Sequence, residues 1–229
     1  MKMSLSANEL SNYVRRQIKY FIPDEYSCSE KKVLEATEIA LDRCETCFKH
    51  ILLPGYHNKQ EVNFSHLHMD QYATFLYFLG NTLWNEYQEK DICDRLLNLN
   101  RILNGFFLSY KCPMPNIFIL AHPVGSVIGN AKYSDGLFIN QNVTINTHID
   151  MDGKVDLKIG KGCYIGAGAK IIGNKPIGDR VSIGVDTLIY NRKIEDDSVC
   201  VRNESGEVIV RQRKKEKCMA SRVFDIDFV

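Results

Sequence analysis

Residues 159–189 read IGKGCYIGAGAKIIGNKPIGDRVSIGVDTLI, and this stretch decides the fold. Isoleucines recur in it six residues apart without a miss, at Ile159, Ile165, Ile171, Ile177, Ile183 and Ile189. Four of them are followed directly by glycine, namely Gly160, Gly166, Gly178 and Gly184. A period of six matches neither the 3.6-residue helix nor the alternation of an ordinary strand, but it fits a chain that turns a corner every six residues.

Three such flats close a triangular coil of about 18 residues, with the isoleucines pointing inward. Small or β-branched residues lie two positions before several of them and fit beside the corners: Cys163, Ala169, Val181 and Thr187. Stacked coils bury a continuous aliphatic ladder that one repeat could not bury alone. The sequence therefore predicts a parallel β-helix, whose phase continues upstream at Val127, Tyr133, Ile139 and Ile145.

The repeat is interrupted between Ile145 and Ile159, where the spacing is 14 rather than six. About eight residues must leave the coil there, since one flat accounts for only six. The expected loop contains His148, Asp150, Asp152 and Asp156. A loop on a rigid scaffold often carries function, and a tolerated surface insertion is the alternative.

Beyond Ile194 the repeat fails, and Val199–Val210 reads as a hairpin that turns at Ser205-Gly206. We expect this hairpin to cover the open end of the β-helix, whose last coil would otherwise expose strand edges. The residues from Lys214 to Val229 are expected to dock on a neighbouring subunit or to be mobile.

The first 110 or so residues have a different, helical pattern with few glycines. One apolar stripe follows a plausible N-cap at Ser6 and ends before Pro23, and it consists of Leu10, Tyr13, Val14, Ile18 and Phe21. Three further helices are predicted over Ser29–Leu53, from near Asp70, and over Ile92–Leu103. The predicted organisation is a helical domain (1–112), a β-helix (113–195), and a C-terminal hairpin with a basic tail (196–229).

Composition narrows the function by exclusion. The 229 residues include 29 Lys+Arg against 28 Asp+Glu, so a general electrostatic grip on nucleic acid or a membrane surface is not expected. Neither an apolar run of about 18–20 residues nor a signal-peptide core is found, which predicts a cytoplasmic protein without a membrane span. In that reducing compartment the eight cysteines are expected to be free thiols.

Two short motifs have the residue types of metal ligands. Cys44-Glu-Thr-Cys47 is a single CxxC in a helical stretch, for which ordinary packing is the favoured interpretation over a metal site. Ser65-His-Leu-His-Met-Asp70 has an H-x-H-x-D spacing, but Asp70 can instead cap the next helix, which we favour. If the helical domain overhangs a groove, His66 or His68 could contact an acceptor molecule.

Three segments resemble the serine O-acetyltransferases, and more broadly the hexapeptide acyltransferases. Ile165–Asn174, IGAGAKIIGN, is close to the family's IGAGAKILGN, and His122–Gly129, HPVGSVIG, fits its HATGxVxG segment. Asn140–Ile145, NQNVTI, is similar to the QSVTL segment that precedes the family's extended loop. The resemblance covers roughly residues 90–195 and implies that the β-helix is left-handed.

The resemblance also implies a chemistry, the transfer of an acetyl group from acetyl-CoA. His122 falls on the family's catalytic base, and a neutral histidine can take the proton of an attacking hydroxyl. Family members are generally trimeric and bind acetyl-CoA between two subunits, so the backbone of Ala167 and Val185 is expected along the pantetheine arm. The other expected cofactor contacts are Thr147, Lys170 and Arg192, with Lys175 and Arg180 as further phosphate candidates. No metal is expected.

The sequence departs from the family at positions that matter for the acceptor. An aspartate precedes the family's histidine and another carboxylate orients it from the coil below, whereas Leu120 and Ala121 stand before His122 here. The family's glycine pair is replaced by Asn146-Thr147, and its loop histidine falls on Asp156. His148 is a candidate second base or acceptor ligand, with a solvent-facing loop residue as the alternative.

These departures favour a sugar hydroxyl of a surface polysaccharide or its precursor as the acceptor. The alternative is a serine O-acetyltransferase of cysteine biosynthesis, although that branch usually ends in isoleucine and this chain ends Phe224-Asp-Ile-Asp-Phe-Val229. A non-catalytic β-helix scaffold is the third possibility. A zinc enzyme of the same fold would need three histidines, and the repeat region holds only His122 and His148.

Overall fold

The computed structural model describes residues 1–58, 61–145 and 156–228. The helices of this part of the chain are α1 (Ala7–Phe21), α2 (Glu30–Phe48), α3 (Met69–Tyr87) and α4 (Lys90–Asn104). All four lie where the apolar stripes predict them. α2 ends at Phe48, however, five residues before the predicted Leu53, because the chain leaves the helix to pair Ile51 with Phe224.

The ends of the helices follow local chemistry. Ser6 caps α1 as predicted, since its hydroxyl accepts the Glu9 N–H at 3.3 Å while the Glu9 carboxylate accepts the Ser6 N–H at 2.8 Å. α4 ends at Gly105, whose φ of 64° lies in the left-handed region that glycine adopts without strain. α3 packs between α2 and α4 and is buried along almost its whole length.

A small sheet in the helical half was not predicted from the sequence. It consists of β1 (Lys2–Met3), β2 (His57–Asn58) and β3 (Glu61–Phe64) in the order β1-β3-β2. Its strands have two to four residues, which is too short for a hydrophobic period to be detected.

The second half is a parallel β-helix with three faces. The first face contains β5 (Phe118–Leu120), β8 (Leu137–Ile139), β11 (Tyr164–Ile165), β13 (Ser182–Ile183), β15 (Ser198–Arg202) and β16 (Val208–Gln212). The second contains β4 (Phe107–Leu108), β6 (Val127–Ile128), β9 (Thr144–Ile145), β12 (Lys170–Ile172) and β14 (Leu188–Tyr190). The third contains β7 (Lys132–Tyr133) and β10 (Lys158–Ile159), extended by bridges at Ile177 and Ile194. Neighbouring coils pair in parallel, whereas β16 pairs antiparallel with β15.

The six-residue period accounts for the interior of the β-helix. The six isoleucines from Ile159 to Ile189 are each no more than 2% exposed. The small residues that precede them are buried as well: Cys163, Ala169, Val181 and Thr187. A coil with an aliphatic interior is thus confirmed, while the left hand implied by the resemblance and the domain boundaries at 112 and 195 stay predictions.

The predicted phase is wrong at Val127. Val127 is 45% exposed on the second face, and the neighbouring Ile128 is the inward residue, paired with Ile145. The next inward residue, Tyr133, lies five positions after Ile128 instead of six. The corner between them is therefore one residue shorter than a corner of the six-residue repeat. A strict period of six therefore assigns Val127 to the wrong side.

The C-terminal hairpin is confirmed, with Gly206 at a φ of 87° in its turn. The expectation that the tail docks on a neighbour or is mobile is wrong for the described residues up to Phe228, which pack on their own chain. Leu52 N–H donates to the Val223 carbonyl at 2.7 Å, and Asp225 N–H donates to the His50 carbonyl at 2.9 Å. The Phe228 ring covers Gly136 and Gly162 on the corner between the third and first faces.

All eight cysteines are free thiols, as predicted. Cys44 and Cys47 are fully buried, and the Cys47 thiol donates to the Phe118 carbonyl at 3.2 Å. Burial raises the pKa of Cys47 to about 12, which keeps this thiol protonated. Cys47 therefore packs α2 against the first coil, and Cys44 is part of the buried core. Among the described residues, none of the helices is long and apolar enough to cross a bilayer.

Candidate active site

His122 lies in the turn after β5, on the corner where the first face passes into the second. Its φ is 48°, a left-handed conformation that is uncommon for residues other than glycine and is often found at functional sites. The turn is closed by a hydrogen bond of 2.7 Å from Val124 N–H to the His122 carbonyl. The imidazole is 82% exposed, so a molecule in solution can reach it.

A single carboxylate from the helical half holds His122. Asp70 Oδ1 accepts the His122 backbone N–H at 3.0 Å, and Asp70 Oδ2 lies 3.1 Å from Nδ1 of the same residue. The Asp70 side chain is only 9% exposed. This arrangement leaves Nε2 of the ring without a hydrogen-bond partner among the described residues.

The position of Asp70 corrects the sequence interpretation of the H-x-H-x-D motif. A helix does begin there, but its N-cap is His68 and no side chain caps it, so the prediction that Asp70 is the cap is wrong. Asp70 lies in the first turn of α3, where the positive end of the helix dipole stabilises a carboxylate. Its side chain turns toward the β-helix instead of toward its own backbone.

The two histidines of that motif do not reach His122 by any hydrogen bond in the described residues. His66 Nδ1 is bonded to the Ser4 hydroxyl at 2.8 Å, and its ring packs on Tyr13. The ring of His68 lies against Gly55 and Tyr56. In the part of the chain that the structure describes, no group of three His, Cys, Asp or Glu side chains is arranged to hold a metal ion.

Ala167 and Val185 lie on the same corner of the β-helix as His122. Successive turns are joined by backbone hydrogen bonds, from Gly168 N–H to the Gln141 carbonyl at 3.0 Å and from Asp186 N–H to the Ala167 carbonyl at 2.9 Å. Val185 is 63% exposed. On this corner the half-buried Ala167 and the exposed Val185 thus form an open column above the histidine.

Of the lysines and arginines predicted to contact the cofactor, only some lie near the corner that contains His122. Lys170 starts β12 on the second face, where its ammonium donates to the Gly168 carbonyl at 3.2 Å beside that column. Arg192 is exposed in a turn after β14, on a different corner from His122. Lys175 lies on that other corner too. Arg180 is bound by Asp197 and by the Phe228 carbonyl, so its guanidinium is already engaged within the chain.

The expectations for Thr147 and His148 lie outside the described residues, and so do those for Asp150 and Asp152. Asp156, at the end of the predicted loop, is described and exposed. The structure thus brings together His122, Ala167 and Val185 among the predicted residues, with Lys170 nearby. It adds Asp70, whose contact with His122 the sequence analysis missed.

Similarity to known proteins agrees with this geometry. No protein-family profile matches the sequence. A serine acetyltransferase of Synechococcus elongatus is 32% identical over 130 residues, which make up 56% of this chain and 52% of that protein. One from Staphylococcus aureus is 28% identical over 120 residues, 52% of this chain and 55% of its own length. The chain is thus similar in sequence to serine acetyltransferases. It spans about half the length of the curated relatives it matches.

The serine acetyltransferase-like fold extends over nearly the whole chain. The crystal structure of the Neisseria gonorrhoeae serine acetyltransferase matches 98% of this chain and 86% of its own with a TM-score of 0.68, at 18% identity. A structure of that enzyme in complex with serine matches 90% of this chain and 84% of its own with a TM-score of 0.64, at 17% identity. At these identities the match shows a shared fold of helical half and β-helix, and no more.

Proposed function

We propose that this protein is an acetyl-CoA-dependent O-acetyltransferase with His122 as its general base. One observation carries the proposal: an exposed imidazole, held through Nδ1, lies at the foot of an open column formed by Ala167 and Val185. The sequence similarity to a serine acetyltransferase over 130 residues supports the same chemistry.

The reaction needs few groups from the chain. Nε2 of His122 takes the proton of the acceptor hydroxyl as the hydroxyl oxygen attacks the thioester carbonyl carbon. The tetrahedral intermediate then collapses, the carbon–sulfur bond breaks, and the proton passes from Nε2 to the departing thiolate. The pantetheine arm would run along the corner beside Ala167 and Val185, and Lys170 is near enough to the column to contribute a positive charge.

For the acceptor, the similarities favour the alternative over the sugar expected from the sequence. The relatives and structural neighbours named above are serine acetyltransferases, and one of the structures contains serine. We therefore propose L-serine as the acceptor. One of the departures behind the sugar acceptor was the absence of a carboxylate near His122, and Asp70 supplies one from the helical half.

A homotrimer, in which acetyl-CoA lies between two subunits, is part of the proposal. Its support is a set of exposed apolar side chains on the second face and on its corner with the first face: Val124, Val127, Val185, Leu188 and Tyr190. These residues are between 45% and 71% exposed, so a neighbouring subunit would bury apolar surface there. Location in the cytoplasm stays a prediction from the sequence.

An acceptor panel tests the proposed function. Thiol release from acetyl-CoA would be followed with the full chain and L-serine, and in parallel with nucleotide sugars and oligosaccharides. We expect turnover with L-serine above every saccharide. Faster turnover with a saccharide would overturn the choice of acceptor while keeping the chemistry. A folded protein that neither releases thiol nor binds CoA in calorimetry would overturn the enzyme and favour a scaffold.

A further inference from the structure

The contact between Asp70 and His122 joins residues 52 positions apart in sequence and on different halves of the fold. Both carboxylate oxygens are used on one residue, Oδ1 on its backbone N–H and Oδ2 on its ring. Leu120 and Ala121, just before the histidine, have no polar side chain to offer. The carboxylate that contacts the proposed base therefore comes from outside the β-helix.

Asp70 is held firmly enough to orient a ring. The start of α3 is anchored by Gln71, whose side chain accepts the Ser65 N–H at 2.8 Å and donates to the Gly55 carbonyl at 3.0 Å. The Thr74 hydroxyl donates to the Asp70 carbonyl at 2.9 Å. A buried carboxylate at a fixed helix end loses little conformational freedom when it binds its partner.

We propose that Asp70 is the positioning residue of the base, and that the helical half thereby completes the active site. An ionised carboxylate accepts hydrogen bonds only, so it selects the imidazole tautomer with the proton on Nδ1. The lone pair of Nε2 then points away from Asp70 toward solvent and the acceptor. This role rests on the proposed function, because it assigns Asp70 to the same reaction.

A purely structural role for Asp70 makes a different prediction. In that case the carboxylate would only accept a hydrogen bond from the backbone N–H of His122, whose φ is positive. Any other hydrogen-bond acceptor at this position would then serve equally well. Asp70→Asn keeps an oxygen for the His122 N–H but brings an amide donor to Nδ1. The amide N–H favours the opposite tautomer of His122, in which Nδ1 accepts and Nε2 carries the proton. A protonated Nε2 has no lone pair with which to accept the proton of the hydroxyl.

The test combines NMR and kinetics on the full chain. Long-range proton–nitrogen correlations on histidine labelled with nitrogen-15 read the tautomer of His122 in the wild type and in Asp70→Asn. We expect Nδ1–H in the wild type and Nε2–H in the variant. With L-serine and acetyl-CoA, kcat should fall by about 10²- to 10⁴-fold in the variant while KM changes little.

Asp135→Asn is the matched control. The Asp135 carboxylate also accepts a backbone N–H, that of Ile117 at 2.9 Å, but it lies on another corner of the β-helix. This control should retain both the wild-type tautomer and the wild-type kcat.

The inference is overturned if wild-type His122 carries its proton on Nε2, or if Asp70→Asn retains full kcat. If Asp70→Asn does not fold, the NMR spectrum of the wild type alone still shows which ring nitrogen of His122 carries the proton. An Asp70-dependent tautomer in a chain that transfers no acetyl group would support the positioning by Asp70 and reject the proposed function.

Discussion

The Tyr77 hydroxyl donates a hydrogen bond of 2.6 Å to the Cys112 carbonyl, and it accepts one of 3.0 Å from the Met114 N–H. Tyr77 belongs to α3, and residues 112–114 lead into the first face of the β-helix. One hydroxyl therefore fastens the helix that carries Asp70 to the scaffold that carries His122. The alignment of those two residues depends on such contacts between the halves.

Removing that hydroxyl should weaken the junction. Tyr77→Phe leaves a buried carbonyl and a buried N–H without their partner, which costs about 1–3 kcal/mol of unfolding free energy. Urea denaturation of the variant and the wild type measures this loss. Tyr164→Phe is the control, because Tyr164 stacks on Phe138 and its hydroxyl makes no hydrogen bond in the described residues. Equal stability of the two variants would contradict the role of Tyr77.

The glycine under Phe228 fixes the path of the tail. A Cβ at Gly162 would lie 2.9 Å from Cγ of Phe228, and the φ of +65° already disfavours any side chain. We expect Gly162→Ala to destabilise the protein by about 1–3 kcal/mol. In a double-mutant cycle with Phe228→Ala, Gly162→Ala should cost less unfolding free energy than it does in the wild type, because the clash with the Phe228 ring is gone. Strict additivity of the two changes would show that the ring does not rest on this glycine.

The tail is also held by charge, and this contact should depend on pH. Arg180 donates two hydrogen bonds of 2.9 Å to Asp197, which Arg213 also contacts, and these guanidinium groups lower the pKa of Asp197. A carboxyl with a lowered folded-state pKa adds stability above its unfolded value of about 4 and loses it as the pH falls through the folded-state pKa.

Asp197→Asn should therefore be less stable than the wild type at pH 7, and the gap should close as the pH falls below about 4. Unfolding free energies measured by denaturant across that range give the comparison. A gap that is constant with pH would mean that the charge of Asp197 contributes nothing to stability.

The interior ladder of the β-helix gives a fourth prediction. Ile171 is 2% exposed and points into the coil, whereas its neighbour Ile172 is half-buried. Ile171→Ala should cost about 2–5 kcal/mol of unfolding free energy, because it removes buried methyl groups and leaves a cavity. Ile172→Ala should cost clearly less. A reversal of that order would contradict the inward assignment.

The β-helix was predictable because its period is short and its interior is uniform. Each isoleucine from Ile159 onward is forced inward by the same geometry, so local spacing is sufficient information. The prediction fails at Val127, where the corner between Ile128 and Tyr133 is one residue shorter. A rule based on spacing alone cannot detect a corner of different length. The length becomes clear only from the pairing of the strand with the strand of the next coil.

The candidate site was only half predictable. His122 stood out by its motif, and Asp70 stood out as part of the H-x-H-x-D pattern, but as a helix cap. Their contact depends on how α3 packs against the first coil, which is a tertiary relationship that neither motif encodes. The tail is a similar case, since its docking relies on Phe224 and Phe228 meeting surfaces distant in sequence.

The central claim, that His122 is the base of an acetyl transfer, is tested most directly by kcat with acetyl-CoA and L-serine in His122→Gln. His66→Gln is the control, since His66 is bonded to Ser4 away from the corner. We predict a fall in kcat of about 10²- to 10⁴-fold for His122→Gln, with a folded protein and with His66→Gln near the wild type. Unchanged turnover in His122→Gln would contradict the account.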